Sequence, residues 1–133
     1  MGINNEETVR GVYASFITGD VDTIMSYLHD DVVWSHPAVG SNIPIAGDYK
    51  GKEGVLQFFD DVVNSVDVLG QEVFNVVGAG DLYVALGYEK MRVQSTDKVY
   101  GSNWAHVFTF KDGKIIRFEE FIDTYEMDQA FIK

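Results

Sequence analysis

Val9, Val12, Tyr13, Phe16 and Ile17 recur at the i, i+3, i+4, i+7 spacing that gathers side chains on one helix face. Gly19 suits the position just past the end of that helix, and Asp20 suits the N-cap of the next. Val21, Ile24, Met25 and Leu28 then make a second, shorter amphipathic helix. Residues 31–36 change to strand character, and Pro37 stops the strand. Residues 41–51, with Pro44, Gly47 and Gly51, read as a loop. A third helix follows from Val55, Phe58, Phe59, Val62, Val63 and Val66. Beyond Gly70 the pattern turns to strands, at 71–77, 82–94, 98–110 and 115–123. Their turns fall at Gly78 to Asp81, at "STDK" and at "KDGK", the last a strong hairpin signal.

Three helices with one interposed strand, then a long antiparallel meander, predict an α+β fold. The helices must cover one face of the sheet, because that face would otherwise be a large exposed apolar patch. A strongly curved, mostly antiparallel sheet covered in this way forms a cone that encloses a cavity. No repeat, low-complexity tract or linker interrupts the chain, so residues 1–133 are expected to form a single domain.

Composition narrows the function. Hydrophobic residues make up 46% of the chain, enough for a core, and aromatics 14%, which favours a β-rich core or a lined cavity. The formal net charge of −11 argues against nucleic acid and against anionic membrane surfaces as partners. The absence of cysteine removes disulfides, thiolate catalysis and cysteine-based zinc sites. The opening stretch "MGINNEETVRGVY" has no apolar signal core, and no apolar run reaches membrane-spanning length. A cytoplasmic protein is the expectation.

Candidate chemistry begins in "HDDVVWSHPAVG". Trp34 and His36 are two apart, which places them on one face of a strand. A neutral imidazole can abstract a proton near pH 7. Asp123 ends the run Ile115, Arg117, Glu119, Phe121, and half-burial there would raise its carboxyl pKa toward useful values. The same aspartate could instead cap a terminal helix starting near Thr124. His106 is the third titratable candidate. With a two-residue Asp112-Gly113 turn, His106 faces Glu119, Trp104 faces Phe121, and Asp123 shares their face. A loop with a bulge would shift this parity and separate His106 from Asp123. Tyr49, Tyr88 and Asn103 are lesser candidates for ligand contact, and Glu89 would need a partner if it faced inward. His36, His106 and Asp123 could form a metal triad only by converging, and no local ligand spacing supports one; no metal is expected. No phosphate-binding loop exists to hold an organic cofactor, so none is expected either.

The order of elements resembles the nuclear-transport-factor-2-like superfamily, and within it the SnoaL-like, ketosteroid isomerase-related branch. "VYASFITGDVDTIMSYLHDDVVW" looks like the opening helix pair and first strand, "AGDYKGKEGVLQFF" like the loop and third helix, and "WAHVFTFKDGKIIRFEEFIDTYEMDQA" like the closing hairpin and terminal segment. The resemblance implies a cone-shaped fold that dimerises through its sheet. His36 falls where the isomerase has its catalytic aspartate, Val12 beside Tyr13 where it has a helix tyrosine, and its protonated aspartate donor falls near His106. Asp123 falls on an acid–base aspartate of SnoaL-like cyclases and limonene epoxide hydrolase. The Arg-x-Asp pair of that hydrolase is missing from "LGYEKMRVQ". The expected function is binding of a small, largely apolar carbonyl compound, such as a polyketide or terpenoid. Asp123 or His36 would perform cofactor-independent acid/base chemistry of isomerase, cyclase or dehydratase type, with Tyr13, Trp34, Tyr49, Tyr88, Asn103, Trp104 and Phe121 as ligand-contacting candidates. The alternative is a non-catalytic small-ligand-binding or dimerisation module, because fold alone does not fix function.

Overall fold

A computed structural model describes residues 4–133; Met1 to Ile3, the start of the stretch examined for a signal core, lie outside the described residues. The chain forms α1 (Asn5–Thr18), α2 (Val21–Ser26), β1 (Leu28–His36), β2 (Gly47–Lys50), α3 (Gly51–Val63), β3 (Val66–Ala79), β4 (Leu82–Val93), β5 (Val99–Lys111), β6 (Lys114–Ile122) and α4 (Thr124–Ala130). One sheet takes the order β2-β1-β6-β5-β4-β3. Every neighbouring pair is antiparallel except β1 and β6, which run parallel. This is the α+β architecture the periodicity predicts.

The punctuation residues act as expected. Gly19 closes α1 with φ 73°, and the Asp20 side chain caps α2. Asp112 and Gly113 both have positive φ, which gives the two-residue hairpin turn its right-handed match to the strands. Val9, Val12 and Tyr13 of α1 and Val55, Phe58, Phe59 and Val62 of α3 are buried against the concave sheet face. Each such aliphatic or aromatic side chain contributes about 1.5–3 kcal/mol on burial.

Four expectations change. Ile17 and Val63 complete the apolar patterns but are 68% and 69% exposed. Each follows an inward residue and lies about 100° round the helix from it. The loop 41–51 contains β2, whose short run pairs with β1 from Val33↔Lys50 to His36↔Gly47. Strand β1 begins at Leu28, earlier than the pattern suggests. β3 begins at Val66, because α3 ends at Val63 and Gly70 marks a register shift inside the strand. Gly87 faces Trp104 across β4 and β5, and a Cβ at Gly87 would strike the indole. Glycine there lets Trp104 lie flat on the inner face.

Candidate active site

The β5–β6 register decides which acid enters the cone. The turn pairs Lys111↔Lys114 and Phe110↔Ile115, but the next pair is Thr109↔Arg117, so Ile116 is an extra residue. This bulge shifts the parity of the rest of β6. His106 therefore faces Glu120, where the unbulged register would give Glu119, and Trp104 faces Ile122. Glu119 and Phe121 turn to the other face.

The parallel β1–β6 pairing sets Trp34 beside Phe118, and their rings stack at 3.9 Å. His36, two residues on, reaches Glu120 from the other side. Its Nε2 lies 3.1 Å from Glu120 Oε1, and His106 Nε2 lies 2.9 Å from Oε2. His106 Nδ1 is 2.6 Å from the Tyr13 hydroxyl, and its ring lies flat on Trp104 at 3.9 Å. One carboxyl, 9% exposed, is thus bracketed by two imidazoles.

The proton inventory follows from the partners. His36 Nδ1 is 3.1 Å from the Pro37 carbonyl, which can only accept, so Nδ1 carries a hydrogen. One further proton then lies between His36 Nε2 and Glu120 Oε1. With Glu120 ionised, His106 donates from Nε2 and accepts the Tyr13 hydroxyl proton at Nδ1. Burial alone would raise the Glu120 pKa, but the charge and hydrogen bond of His106, aided by His36, hold it below the ordinary carboxylate value. Burial, and then the Glu120 charge, push the Tyr13 phenol above its usual range, so it remains a donor.

A second carboxyl has the opposite surroundings. Glu89 is 7% exposed, and its Oε2 accepts the Tyr100 hydroxyl at 2.9 Å. Burial first, and Glu120 second, push it up to about 8 against the lowering effect of that hydrogen bond. Burial, followed by the Glu89 charge, also raises Tyr100. Both carboxyls line one cavity of about 80 Å³, whose walls include Phe58, Phe59, Val62, Met91, Phe118 and Met127.

Tyr13, Trp34, His36 and His106 all line this cavity, and Trp104 stacks beneath His106. The other candidates lie elsewhere. Asp123 is exposed; its Oδ1 caps α4 by accepting the Glu126 amide at 3.1 Å. Tyr88, Asn103 and Phe121 stand on the convex face, in register with one another's strands and opposite in parity to Glu89, Trp104 and Glu120. Tyr49 is half-buried, and its hydroxyl donates to Ile45 O and to Asp61. Burial and Asp61 push its phenol up to about 12. Sequence reasoning missed Glu120, Tyr100 and Gln71. "FEEF" presents two glutamates with apolar neighbours, and only the bulge chooses between them. Among the described residues no group of three metal-ligating side chains is set to hold an ion.

The profile of the SnoaL-like domain matches residues 9–118. The chain belongs to the SnoaL-like family. Among solved structures, an NTF2-like protein from Burkholderia thailandensis E264 is 24% identical, with 99% of this chain and 100% of that one covered at a TM-score of 0.90. An NTF2-like protein of unknown function from Burkholderia pseudomallei K96243 is 25% identical, with 99% and 100% covered at 0.87. TerC, co-crystallised with polyporic acid, is 25% identical, with 94% and 95% covered at 0.79. No curated protein matches the chain.

Proposed function

We propose that this SnoaL-like chain binds a small, largely apolar carbonyl compound in its cone and moves a proton beside the carbonyl without a cofactor. The observation that carries this reading is the Glu120 carboxylate between His36 and His106, on the wall of an apolar cavity that also holds Glu89. Two carboxyls pushed apart in pKa take different roles: the ionised Glu120 can act as a base, and the neutral Glu89 can bond a polar group of the ligand. The Glu120 carboxylate, held by His36, takes a proton from carbon; the C–H pair becomes the C=C bond of the enolate, and the carbonyl π pair moves to the oxygen, which accepts a hydrogen bond from Trp34 Nε1. In a compound with a C=C bond next to that carbon, return of the proton to the far end of the dienolate re-forms the C=O bond and completes an isomerisation. Trp34 Nε1 is buried and has no partner among the described residues, so it is free to hold that oxygen. The likeness to TerC, crystallised with polyporic acid, supports a ligand of this general kind.

The test is α-proton exchange of cyclohexanone in deuterated buffer, followed by NMR. Exchange should exceed that in buffer and fall by about a hundredfold or more in Glu120→Gln. Exchange no faster than in buffer would overturn the catalytic reading.

A second proposal concerns assembly. On the convex face Phe74, Val77, Leu86 and Phe121 are exposed and apolar. A patch of this kind supports a homodimer formed through the sheet. Sedimentation should show a dimer that Leu86→Lys converts to monomer; a monomeric wild type contradicts it. Among the described residues no helix is long and apolar enough to cross a membrane, and the acidic net charge supports a small-molecule role in the cytoplasm, away from nucleic acid.

A further inference from the structure

We propose that Gln71, Glu89 and Tyr100 form a second polar subsite that selects a hydroxyl group, so that the preferred compound is a hydroxy-carbonyl rather than a simple ketone. The inference rests on the proposed ligand-binding reading of the same cavity.

Gln71 and Glu89 are direct cross-strand partners on β3 and β4, and Glu89 lies opposite Ser102 on β5. All of these share the concave face. Ser102 is already committed: its hydroxyl donates to the Asn103 carbonyl and accepts the Asp123 amide. Tyr100 donates to Glu89 Oε2. A buried carboxyl with no cation against it, and another carboxylate across the cavity, is held in its neutral form. With Oε2 taken by Tyr100, its proton belongs on Oε1, which has no acceptor among the described residues. The Gln71 Oε1 atom is buried and has no donor among the described residues.

One donor and one acceptor therefore stand on cross-strand neighbours. A carbonyl oxygen can satisfy only the donor. A hydroxyl satisfies both, because it accepts from Glu89 and donates to Gln71. At the other pole, unpartnered Trp34 Nε1 offers a donor alone, which fits a carbonyl oxygen. The cavity of about 80 Å³ holds roughly five to eight non-hydrogen atoms, at the 10–15 Å³ a water-sized group requires. That is the size of one small ring with an oxygen at each end. A site built to bond a hydroxyl discriminates against the analogue that lacks it, since its buried polar groups are then left unpaired.

The experiment compares cyclohexanone with 4-hydroxycyclohexanone by calorimetry, with Trp34 and Trp104 fluorescence as a second readout. The hydroxylated ring should bind the wild type about tenfold more tightly or better. Gln71→Leu and Tyr100→Phe should each reduce that advantage to about threefold or less, read as the ratio of the two affinities within each variant. Glu89→Gln, which keeps a neutral donor, should retain most of it. Equal affinity of the wild type for the two rings would overturn the subsite and leave the ligand-binding reading standing. An undiminished advantage in Gln71→Leu would also overturn it. Failure of both rings to bind would overturn the ligand-binding reading and the subsite together. The wild-type comparison needs no variant, so a variant that misfolds does not rescue the proposal.

Discussion

Glu120 and Glu89 are both glutamates, both buried, and both on the concave wall of one sheet, yet their neighbours drive them in opposite directions. On the β1–β6 side two imidazoles converge on Glu120 and keep it charged. On the β3–β4 side Glu89 meets a tyrosine and a glutamine, with no cation among the described residues, and stays protonated until about pH 8. The lesson is that burial alone assigns no role to an acid. The partner delivered by the neighbouring strand does.

Removing the charged pole should have the largest effect. Glu120→Leu leaves His36 and His106 buried without their acceptor, which costs on the order of 3–5 kcal/mol. Denaturant unfolding measures it, and a loss below about 1 kcal/mol would show that the two imidazoles do not depend on Glu120.

The two acids should next separate by the sign of their pH dependence. Glu89 has a raised folded pKa, so the folded state holds a proton that the unfolded state releases. Its stabilising contribution is complete below the ordinary glutamate value of 4.5 and is lost as pH rises toward about 8. The slope is at most about 1.4 kcal/mol per pH unit. Glu120 has a lowered folded pKa, so its contribution is present above 4.5 and is lost as pH falls below it. Glu89→Gln should flatten the limb from 4.5 to 8 and leave the acid limb; Glu120→Gln should do the reverse. A variant that flattens the wrong limb breaks the contrast.

Gly87→Ala should cost about 1–3 kcal/mol, because the new methyl group strikes both the Glu72 backbone carbonyl on β3 and the Trp104 indole beneath His106. A quenching change in Trp104 fluorescence should accompany it. The smallest effect belongs to Asp123→Ala, about 1 kcal/mol from the lost α4 cap. Its α-proton exchange should match wild type, and a hundredfold loss would return Asp123 to the chemistry.

The helices and long strands were legible because a single apolar period runs through each of them. His36 was legible because it shares a strand face with Trp34, two residues earlier, and Pro37 ends the strand directly after it. Glu89 was half legible: it shares parity with Met91 and Val93, so an inward acid could be suspected, but its partners Tyr100 and Gln71 come from two other strands. Glu120 was not legible. It differs from Glu119 by one position, and the bulge at Ile116 that turns it inward leaves no local mark in "GKIIRFEEF". Packing of Phe118 on Trp34 and pairing with His106 fix that register, and both contacts reach across the chain. The strand β2 was hidden for a similar reason, since four residues carry too little period to read.

The contrast between the two acids is tested most directly by following their side-chain carboxyl carbons by 13C NMR through a pH titration, with Glu89→Gln and Glu120→Gln assigning the signals. The predicted result is one carboxyl that remains ionised below pH 4.5 and a second that is protonated at pH 7 and titrates near 8. Two carboxyls titrating together near 4.5 would contradict it.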